Sequence, residues 1–185
     1  MGMTIREKAD TVGCLRYVSV VAMETLARWI PTTAELEAKI CFGRHVWEFA
    51  QHADALGKRT AELRAALHFS NPPVKGYAAM LSELAAASST RDRIALFYEG
   101  LLPDLERRYR AYLDHTDHLL DDPSVRLMER ALADVTRIRS EAGALVRERP
   151  ELAGVPSTVR AWAERAGAIA EWVTHRAPAA AEGLA

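Results

Sequence analysis

Residues 39–59 read KICFGRHVWEFAQHADALGKR, and this stretch decides the fold because its apolar residues recur at helical spacing. With about 3.6 residues per turn, those residues fall on one face of a helix. That face consists of Phe42, Val46, Phe49, Ala53 and Leu56. Because an amphipathic helix buries such a face against its neighbours, the stretch predicts a protein built from packed helices.

A polar stripe borders this face and consists of Glu37, Cys41, His45, Glu48 and His52. Residues three and four apart on a helix touch, so His45 and His52 are both expected to reach Glu48. A half-buried glutamate between two imidazoles can hold a proton, pass one on, or bind a metal ion with them. The structural alternative is a hydrogen-bonded polar seam between helices. The stripe fits both interpretations, and we take Glu48, His45 and His52 as candidate catalytic residues.

The rest of the chain is also typical of helices, because Ala, Leu, Arg and Glu dominate and prolines cluster at segment edges. The predicted helices run from Thr4 to Ile30, from a capping box at Thr32 and Glu35 to Leu67, from Val74 to Ala87, from Thr90 to Leu119 with a kink at Gly100 and Pro103, from Ser124 to Arg149, and from Val155 to His175. Four long helices with short connections predict an all-α up-down bundle with one or two shorter helices. We expect a single domain over residues 1–177 and a frayed tail over residues 178–185.

The composition excludes several classes of protein. A formal charge of −1 offers no basic excess for binding nucleic acid. The most apolar run, GCLRYVSVVAMETLARWI, contains Arg16, Glu24 and Arg28, so it is not a membrane span. The start MGMTIREKAD has no signal-peptide cleavage pattern, and Cys14 and Cys41 are too few for a disulfide framework. We therefore expect a cytoplasmic protein.

Other helices offer partners for the stripe. Glu24 either pairs with Arg28 or faces inward as a fourth catalytic residue, and Tyr17 shares its side of the first helix. Tyr98 and Glu99 precede the predicted kink, where room for a small molecule is expected. The residues expected to contact a planar or aromatic substrate are Tyr17, Trp29, Phe49, Tyr98 and Glu99.

Several histidines and tryptophans are expected outside the site. His118 and His175 lie near helix ends, where histidines are typical of the surface. Trp47 lies opposite the apolar face of the second helix, and Trp162 and Trp172 lie on the last helix. These tryptophans suggest a homodimer interface, or else they are covered within one chain.

Residues 30–134 carry a family resemblance. It rests on TTAELEAKICFGRHVWEFAQHADALGKRTAELR, on the following NPP, and on ALFYEGLLPDLERRYRAYL with DDPSVRLMERALAD, of which GRHVWE and HADAL are the most specific parts. The chain resembles a bacterial group within the ferritin-like superfamily. The resemblance implies a ferritin-like bundle and, in many members, two iron or manganese ions. Those ions are usually held by a Glu from each of two helices and a Glu-x-x-His from each of the other two.

The sequence departs from that ligand pattern. None of its six histidines follows an acidic residue by three positions, so no Glu-x-x-His occurs. The helix after Pro123 offers Glu129 and Asp134 but no histidine. The leading expectation is therefore that no cofactor is bound. If iron or manganese is bound, its ligands are expected among Glu24, Glu37, His45, Glu48, His52 and Glu99.

Three functions remain open. The first is a metal-independent enzyme of bacterial secondary metabolism, in which Glu48, His45 and His52 transfer protons while an amine condenses or cyclises with a carbonyl compound. A Pictet–Spengler-type ring closure is one instance. The second is an iron- or manganese-dependent oxidase or oxygenase with an unusual ligand set. The third is a non-catalytic helical binding module, in which the stripe is structural. The missing Glu-x-x-His favours the first.

Overall fold

The computed structural model describes residues 2–176, and within this range the protein is all-helical and contains no strand. The elements in chain order are α1 (Ile5–Trp29), a 3-10 turn (Ile30–Thr32), α2 (Leu36–Glu62), α3 (Lys75–Ala85), α4 (Thr90–Ile94), a π-helical segment (Ala95–Leu101), α5 (Leu102–His115), α6 (Asp122–Glu148), a second 3-10 turn (Pro150–Leu152) and α7 (Pro156–Ala168). The all-α prediction is confirmed. The tail predicted over residues 178–185 lies outside the described residues. Within the described part, no helix is both long and apolar enough to cross a membrane.

The start of α1 is fixed by a capping box. The Glu7 backbone N–H donates to the Thr4 hydroxyl at 3.2 Å, and the Thr4 N–H donates to the Glu7 carboxylate at 2.7 Å. The capping box predicted at Thr32 and Glu35 is wrong. Thr32 belongs to the 3-10 turn and donates to a carbonyl of α1 at 3.2 Å, while Glu35 accepts from the Thr90 hydroxyl at 2.6 Å. A hydrogen bond to another helix thus replaces the expected local cap.

Several helices end earlier than predicted, among them α5, which ends at His115 rather than Leu119, and α2 and α7 differ most. α2 ends at Glu62 rather than Leu67, because Arg64 adopts a left-handed backbone with a φ of 61° that interrupts helical hydrogen bonding. α7 ends at Ala168 rather than His175, because the segment that follows pairs instead with the loop before α3. A local backbone conformation therefore sets the end of α2, and tertiary contacts set the end of α7.

The predicted kink in the third long helical stretch is the π-helical segment. Here the Leu102 N–H donates to the Phe97 carbonyl, one residue further back than in an α-helix. Pro103 has no N–H, so it cannot continue the α-helical pattern at this point. Gly100 faces Trp162 of α7, and a methyl group at Gly100 would lie 3.2 Å from that ring. The π-helical segment therefore lies next to Pro103 and packs against α7 through Gly100.

α1 and α6 both run antiparallel to α2. Trp29 at the end of α1 packs on Phe42 near the start of α2, with ring centroids 5.7 Å apart. Arg59 near the end of α2 donates to the hydroxyl of Ser124, near the start of α6, at 2.8 Å. Each contact joins the end of one helix to the start of the other, so the two helices of each pair run in opposite directions.

The stretch formed by α4, the π-helical segment and α5 runs parallel to α2. Glu35, just before α2, accepts from Thr90 at the start of this stretch, and His45 further along α2 lies 2.8 Å from the hydroxyl of Tyr98. A crossover that contains α3 therefore connects α2 to the third stretch. The short helix predicted over Val74–Ala87 is α3 (Lys75–Ala85), but the parallel direction of the two long stretches differs from the predicted up-down order.

An aromatic cluster fills the interior beside α2. Trp29, Phe42, Phe49 and Phe97 are buried, and neighbouring ring centroids lie 5.6–6.1 Å apart. Trp29 also donates its indole N–H to the Ala85 carbonyl at 3.2 Å. Trp29 and Phe49, which are predicted to contact a substrate, are thus core residues that are 2% and 0% exposed.

The remaining tryptophans and the predicted surface histidines differ in their exposure to solvent. Trp162 and Trp172 are 4% and 8% exposed, so they are covered within the chain. Trp47 is 66% exposed, as predicted. His118 and His175 are exposed, which confirms their surface assignment.

Asp121, just before α6, joins several helices. Its carboxylate accepts hydrogen bonds from Arg59 of α2 and Tyr112 of α5, both at 2.8 Å, and it pairs with Lys8 of α1 at 3.3 Å. The side chain is 1% exposed. Burial alone would raise the pKa of Asp121, but hydrogen bonds from neighbouring hydroxyl groups and from Arg59 outweigh burial and lower it to about 2. The charged form of Asp121 therefore stabilises the fold.

We expect the substitution Asp121→Asn to lower the free energy of unfolding by about 3 kcal/mol near neutral pH, because Arg59 and Lys8 lose this buried partner. The folded-state pKa of Asp121 lies below the ordinary value of 3.8. The carboxylate therefore contributes its full stability above about pH 4, and this contribution is lost as the pH falls through about 2. Urea unfolding of both proteins from about pH 7 to about pH 3 should show the difference shrinking towards acid.

Asp122→Asn is the matched control for this experiment. Asp122 pairs with Arg126 at 2.8 Å on the surface, where the two side chains are 51% and 77% exposed. Such a pair contributes at most about 1 kcal/mol. Equal losses in both variants, or a D121N difference that persists unchanged at about pH 3, would contradict the role of Asp121.

Candidate functional site

The candidate site is the α2–α6 seam, where polar side chains from the two antiparallel helices face each other. On each helix these side chains are three or four positions apart, which places them on one side of the helix. The seam consists of Cys41, His45, Glu48 and His52 from α2 and Asp134, Arg137 and Glu141 from α6.

His45 is fully buried and engages both of its ring nitrogens. Its Nδ1 lies 2.8 Å from the Tyr98 hydroxyl, and its Nε2 lies 3.2 Å from a Glu141 carboxylate oxygen. Burial lowers the pKa of His45 despite the neighbouring Glu141, so the ring is neutral at neutral pH. Burial would raise the pKa of Glu141, but hydrogen bonds from Arg137 and His45 outweigh it and lower that pKa. The ionised Glu141 only accepts, so Nε2 carries the proton and Nδ1 accepts from Tyr98.

Cys41 completes a hydrogen-bonded group that we call the relay cluster, formed by Cys41, Tyr98, His45 and Glu141. The Cys41 sulfur lies 3.7 Å from both the His45 Nδ1 and the Tyr98 hydroxyl. Tyr98 belongs to the π-helical segment, and burial raises its pKa well above the ordinary value. The phenol therefore keeps its proton and connects the thiol to the imidazole.

His52 is held at one ring nitrogen and free at the other. Its Nε2 lies 3.1 Å from an Asp134 carboxylate oxygen, whereas its buried Nδ1 has no hydrogen-bond partner among residues 2–176. Burial would raise the pKa of Asp134, but hydrogen bonds from His52 and Arg137 outweigh burial and lower it. The ionised Asp134 accepts from Nε2–H, so in the neutral form of the ring Nδ1 carries the lone pair. We call this pair the His52–Asp134 dyad.

Arg137 lies between the relay cluster and the dyad. Its guanidinium is 2.8 Å from Glu48, 2.8 Å from Glu141 and 3.3 Å from Asp134. The hydrogen bond that Arg137 donates to Glu141, followed by those that it donates to Asp134 and Glu48, raises the pKa of Arg137 further above its ordinary value. One permanent positive charge therefore holds the acidic side chains of the seam in place.

The predicted contacts of Glu48 are wrong. Glu48 was expected to sit between His45 and His52, but it pairs with Arg137, and the two histidines pair with carboxylates of α6. Sequence analysis noted Asp134 as an acid on this helix but missed Arg137 and Glu141. A signal existed: residues 134, 137 and 141 repeat on α6 the spacing of three and four that marks the stripe on α2.

The other predicted site residues lie away from the seam. Glu24 is exposed and lines a surface groove between α1 and α3 together with Tyr17, so the interpretation of Glu24 as an inward-facing carboxylate is wrong. Glu37 is 51% exposed and pairs with Arg149 at 2.8 Å. Glu99 is exposed beside a cavity of about 110 Å³. Of the residues predicted outside α2, Tyr98 is the one that the structure brings to His45.

The metal pair implied by the ferritin-like resemblance does not fit these residues. Three of the six candidate ligands, Glu24, Glu37 and Glu99, are exposed on different parts of the surface. Within residues 2–176, no three His, Cys, Asp or Glu side chains are arranged to hold a metal ion. The Arg137 guanidinium also occupies the position among the seam carboxylates where a cation would have to lie.

Comparisons with models of protein families, with curated proteins and with solved structures find no match for this chain. The functional assignment therefore rests on the geometry of the seam.

The burial of His45 predicts a pH dependence of stability. Its folded-state pKa lies below the ordinary 6.5, so in this range the unfolded chain binds a proton that the folded chain does not. Stability therefore falls as the pH drops below about 6.5. We expect urea unfolding to show a smaller loss between about pH 7.5 and about pH 5.5 in His45→Gln than in the wild type, because glutamine does not titrate.

His118→Gln is the control, since His118 is exposed, and this variant should keep the wild-type slope of stability against pH. The comparison uses slopes, so an overall loss of stability in His45→Gln does not affect it. An unchanged slope in that variant would show that the buried imidazole takes up a proton in the folded protein.

Proposed function

We propose that the protein is an enzyme that uses the α2–α6 seam for metal-independent acid–base chemistry. The observation that carries this proposal is the geometry of His52, whose Nε2 lies 3.1 Å from Asp134 while its buried Nδ1 has no hydrogen-bond partner among the described residues. A carboxylate that holds one imidazole nitrogen also stabilises the imidazolium formed when the other nitrogen accepts a proton. The dyad is therefore suited to general-base catalysis.

The reaction class is condensation of an amine with a carbonyl compound. His52 takes a proton from the amine nitrogen as that nitrogen bonds to the carbonyl carbon. The imidazolium returns this proton to the carbonyl oxygen, which gives a carbinolamine. His52 then transfers the second amine proton to the same oxygen, and water leaves, so the products are an imine and water. In a Pictet–Spengler-type closure, an arene carbon then bonds to the protonated imine carbon. The proton lost by the arene ring passes to His52 and replaces the one that the imine nitrogen took up.

A small cavity beside the dyad supports this role. It has a volume of about 70 Å³, and its lining combines polar and apolar side chains, among them His52, Gln51, Arg130 and Leu127. This volume accommodates the reacting end of a small substrate, such as an amino group and its carbon, while the bulk of the substrate lies outside the seam. An aromatic portion would then cover the cavity.

Glu48 and His45 have supporting roles in this proposal. Glu48 fixes Arg137 through a 2.8 Å contact, and Arg137 in turn contacts Asp134 of the dyad. His45 engages both of its nitrogens with Tyr98 and Glu141, so it has no free lone pair for a substrate. Both residues position the seam, and the proton transfer to substrate belongs to His52.

We also propose that α1, α2, the α4–α5 stretch and α6 form a ferritin-like bundle. The long crossover between the second and third of these elements supports this assignment, because ferritin-like bundles differ from simple up-down bundles by one such crossover. The proposal keeps that architecture without its metal chemistry, since the candidate ligands are dispersed or already paired. The chain would then be a small-molecule enzyme of bacterial secondary metabolism.

We expect catalysis with pairs of an arylethylamine and an aldehyde, detected by mass spectrometry at the summed mass less one water. His52→Gln should lower the rate by about 100-fold or more, because general-base catalysis contributes roughly two to four orders of magnitude. Asp134→Asn should lower the rate at least about tenfold, because an amide does not fix the tautomer of His52 as a carboxylate does.

His118→Gln is the activity control, because this exposed residue does not line the cavity beside the dyad and should leave the rate unchanged. Equal rates in the wild type and His52→Gln would refute the proposed base. Activity that a chelator removes and iron or manganese restores would instead favour the oxidase hypothesis. Elemental analysis of the same samples completes that comparison.

Nitrogen-15 NMR gives a readout that needs no substrate. Nδ1 of His52 should be unprotonated at neutral pH in the wild type, and Asp134→Asn should mix the two tautomers. A protonated Nδ1 in the wild type would contradict the proposal whichever substrates are tried.

A further inference from the structure

The relay cluster opens onto a surface groove, which we call the Cys41 groove. It lies between the start of α2 and the end of α6 and has a volume of about 320 Å³. Its apolar lining includes Ile40, Ala144 and Leu145, and the partly exposed Cys41 lines it as well. The thiol is thus both accessible from the groove and connected to buried acid–base groups.

The thiol needs a base in order to react. Burial raises the pKa of Cys41, and the hydrogen bond with Tyr98 and the charge of Arg44 only partly oppose that effect. Cys41 is therefore protonated at neutral pH, and its reactivity depends on losing that proton as it attacks. The relay cluster provides a route for the proton, from the thiol through the Tyr98 hydroxyl to the His45 Nδ1.

Glu141 makes that route favourable. The imidazolium formed on His45 would lie 3.2 Å from the ionised Glu141, which stabilises the positive charge. The arrangement of nucleophile, imidazole and carboxylate is the one used by cysteine enzymes in which an adjacent base activates the thiol. Here a tyrosine hydroxyl mediates the first transfer.

The charges around the groove restrict the ligand. Glu37, Glu141, Glu148 and Arg44 line it, and Arg149 and Arg137 pair with Glu37 and Glu141 at 2.8 Å, so the groove has no excess positive charge to hold an anionic ligand. Arg44 follows Cys41 by three positions on the same helix, close enough for its charge to act on the thiol. A neutral molecule that places an oxygen on Arg44 and an electrophilic carbon on Cys41 satisfies both conditions.

We propose that Cys41 is a nucleophile for small, neutral α,β-unsaturated carbonyl compounds bound in the Cys41 groove, with Tyr98 and His45 as its base and Arg44 as the partner of the carbonyl oxygen. The sulfur bonds to the β-carbon, and the carbon–carbon π electrons move to give an enolate, whose oxygen Arg44 stabilises. The proton taken up by His45 returns to the α-carbon. The net reaction adds the S–H bond across the double bond and needs no further reactant.

This inference is independent of the amine–carbonyl proposal, because it uses the relay cluster and not the His52–Asp134 dyad. Cys14 provides an internal reference within the same chain. It is fully buried, and burial raises its pKa to about 12. A thiol-specific reagent should therefore modify the accessible Cys41 faster than the buried Cys14.

The test uses methyl vinyl ketone on the full chain at about pH 7, followed by intact-mass measurement and peptide mapping. We expect one addition per chain, at Cys41 and not at Cys14. Cys41 in the folded protein should react faster than Cys41 in the urea-unfolded chain, where no base assists it. His45→Gln and Tyr98→Phe should each slow the addition at least about tenfold, and His118→Gln should not.

Arg44→Met keeps the proposal testable if the buried variants do not fold, because Arg44 is exposed. This variant should slow the addition of methyl vinyl ketone more than alkylation by iodoacetamide, which develops no enolate. Slower reaction in the folded than in the unfolded chain, or equal rates in wild type, His45→Gln and Tyr98→Phe, would overturn the proposal and make Cys41 an inert buried thiol.

Discussion

The antiparallel register of α2 and α6 is the constraint on which the arrangement of polar groups depends. Along the two helices the successive pairs are Glu37 with Arg149, His45 with Glu141, His52 with Asp134, and Arg59 with Asp121. Each pair is a charge or hydrogen-bond contact between a residue on the α2 side and a residue on the α6 side. A shift of one helix by a single turn would therefore break all of these contacts together. A buried carboxylate or imidazole without its partner is costly, so the pairs fix the register as well as follow from it.

The sequence predicts the helices and one side of the site, but not the other side. The 3.6-residue spacing in residues 39–59 is a local property, so it reveals the apolar face and the stripe of His45, Glu48 and His52. The partners of that stripe depend on which helix lies opposite, and His45 and Glu141 are 96 positions apart in the chain. Spacing within one helix therefore could not assign Glu141 or Arg137 to the site. The same limit explains the misplaced Glu24, whose apolar neighbours gave no sign that its own position faces solvent.

Glu48 shows why a local rule failed. Contacts three and four apart on a helix stabilise a charged pair, but burial lowers the pKa of His45 and leaves it neutral. A neutral imidazole attracts a carboxylate much less than a guanidinium does, so Glu48 pairs with Arg137.

The π-helical segment is a second feature that local sequence rules predict only in part. Gly100 and Pro103 predicted a break, and the wider π turn follows from the proline. This turn also carries Tyr98, which contacts His45. That contact depends on how the helices pack, so it could not be predicted from the sequence alone.

The residues of the seam differ in role because some of their polar atoms already have close hydrogen-bond partners and others do not. Arg137 is committed to three carboxylates, and His45 is committed at both nitrogens. Groups held this firmly resist rearrangement, so they position the seam, and His45 can exchange a proton with a ligand only through Tyr98 and Cys41. Two atoms of the seam differ from these among the described residues: the buried Nδ1 of His52 has no hydrogen-bond partner, and the Cys41 sulfur makes two contacts at 3.7 Å. His52 and Cys41 each line a cavity, and each atom is connected through an imidazole to an ionised carboxylate. The committed groups thus orient two reactive atoms at separate openings of one helix pair, which is why base catalysis and thiol addition can be tested independently.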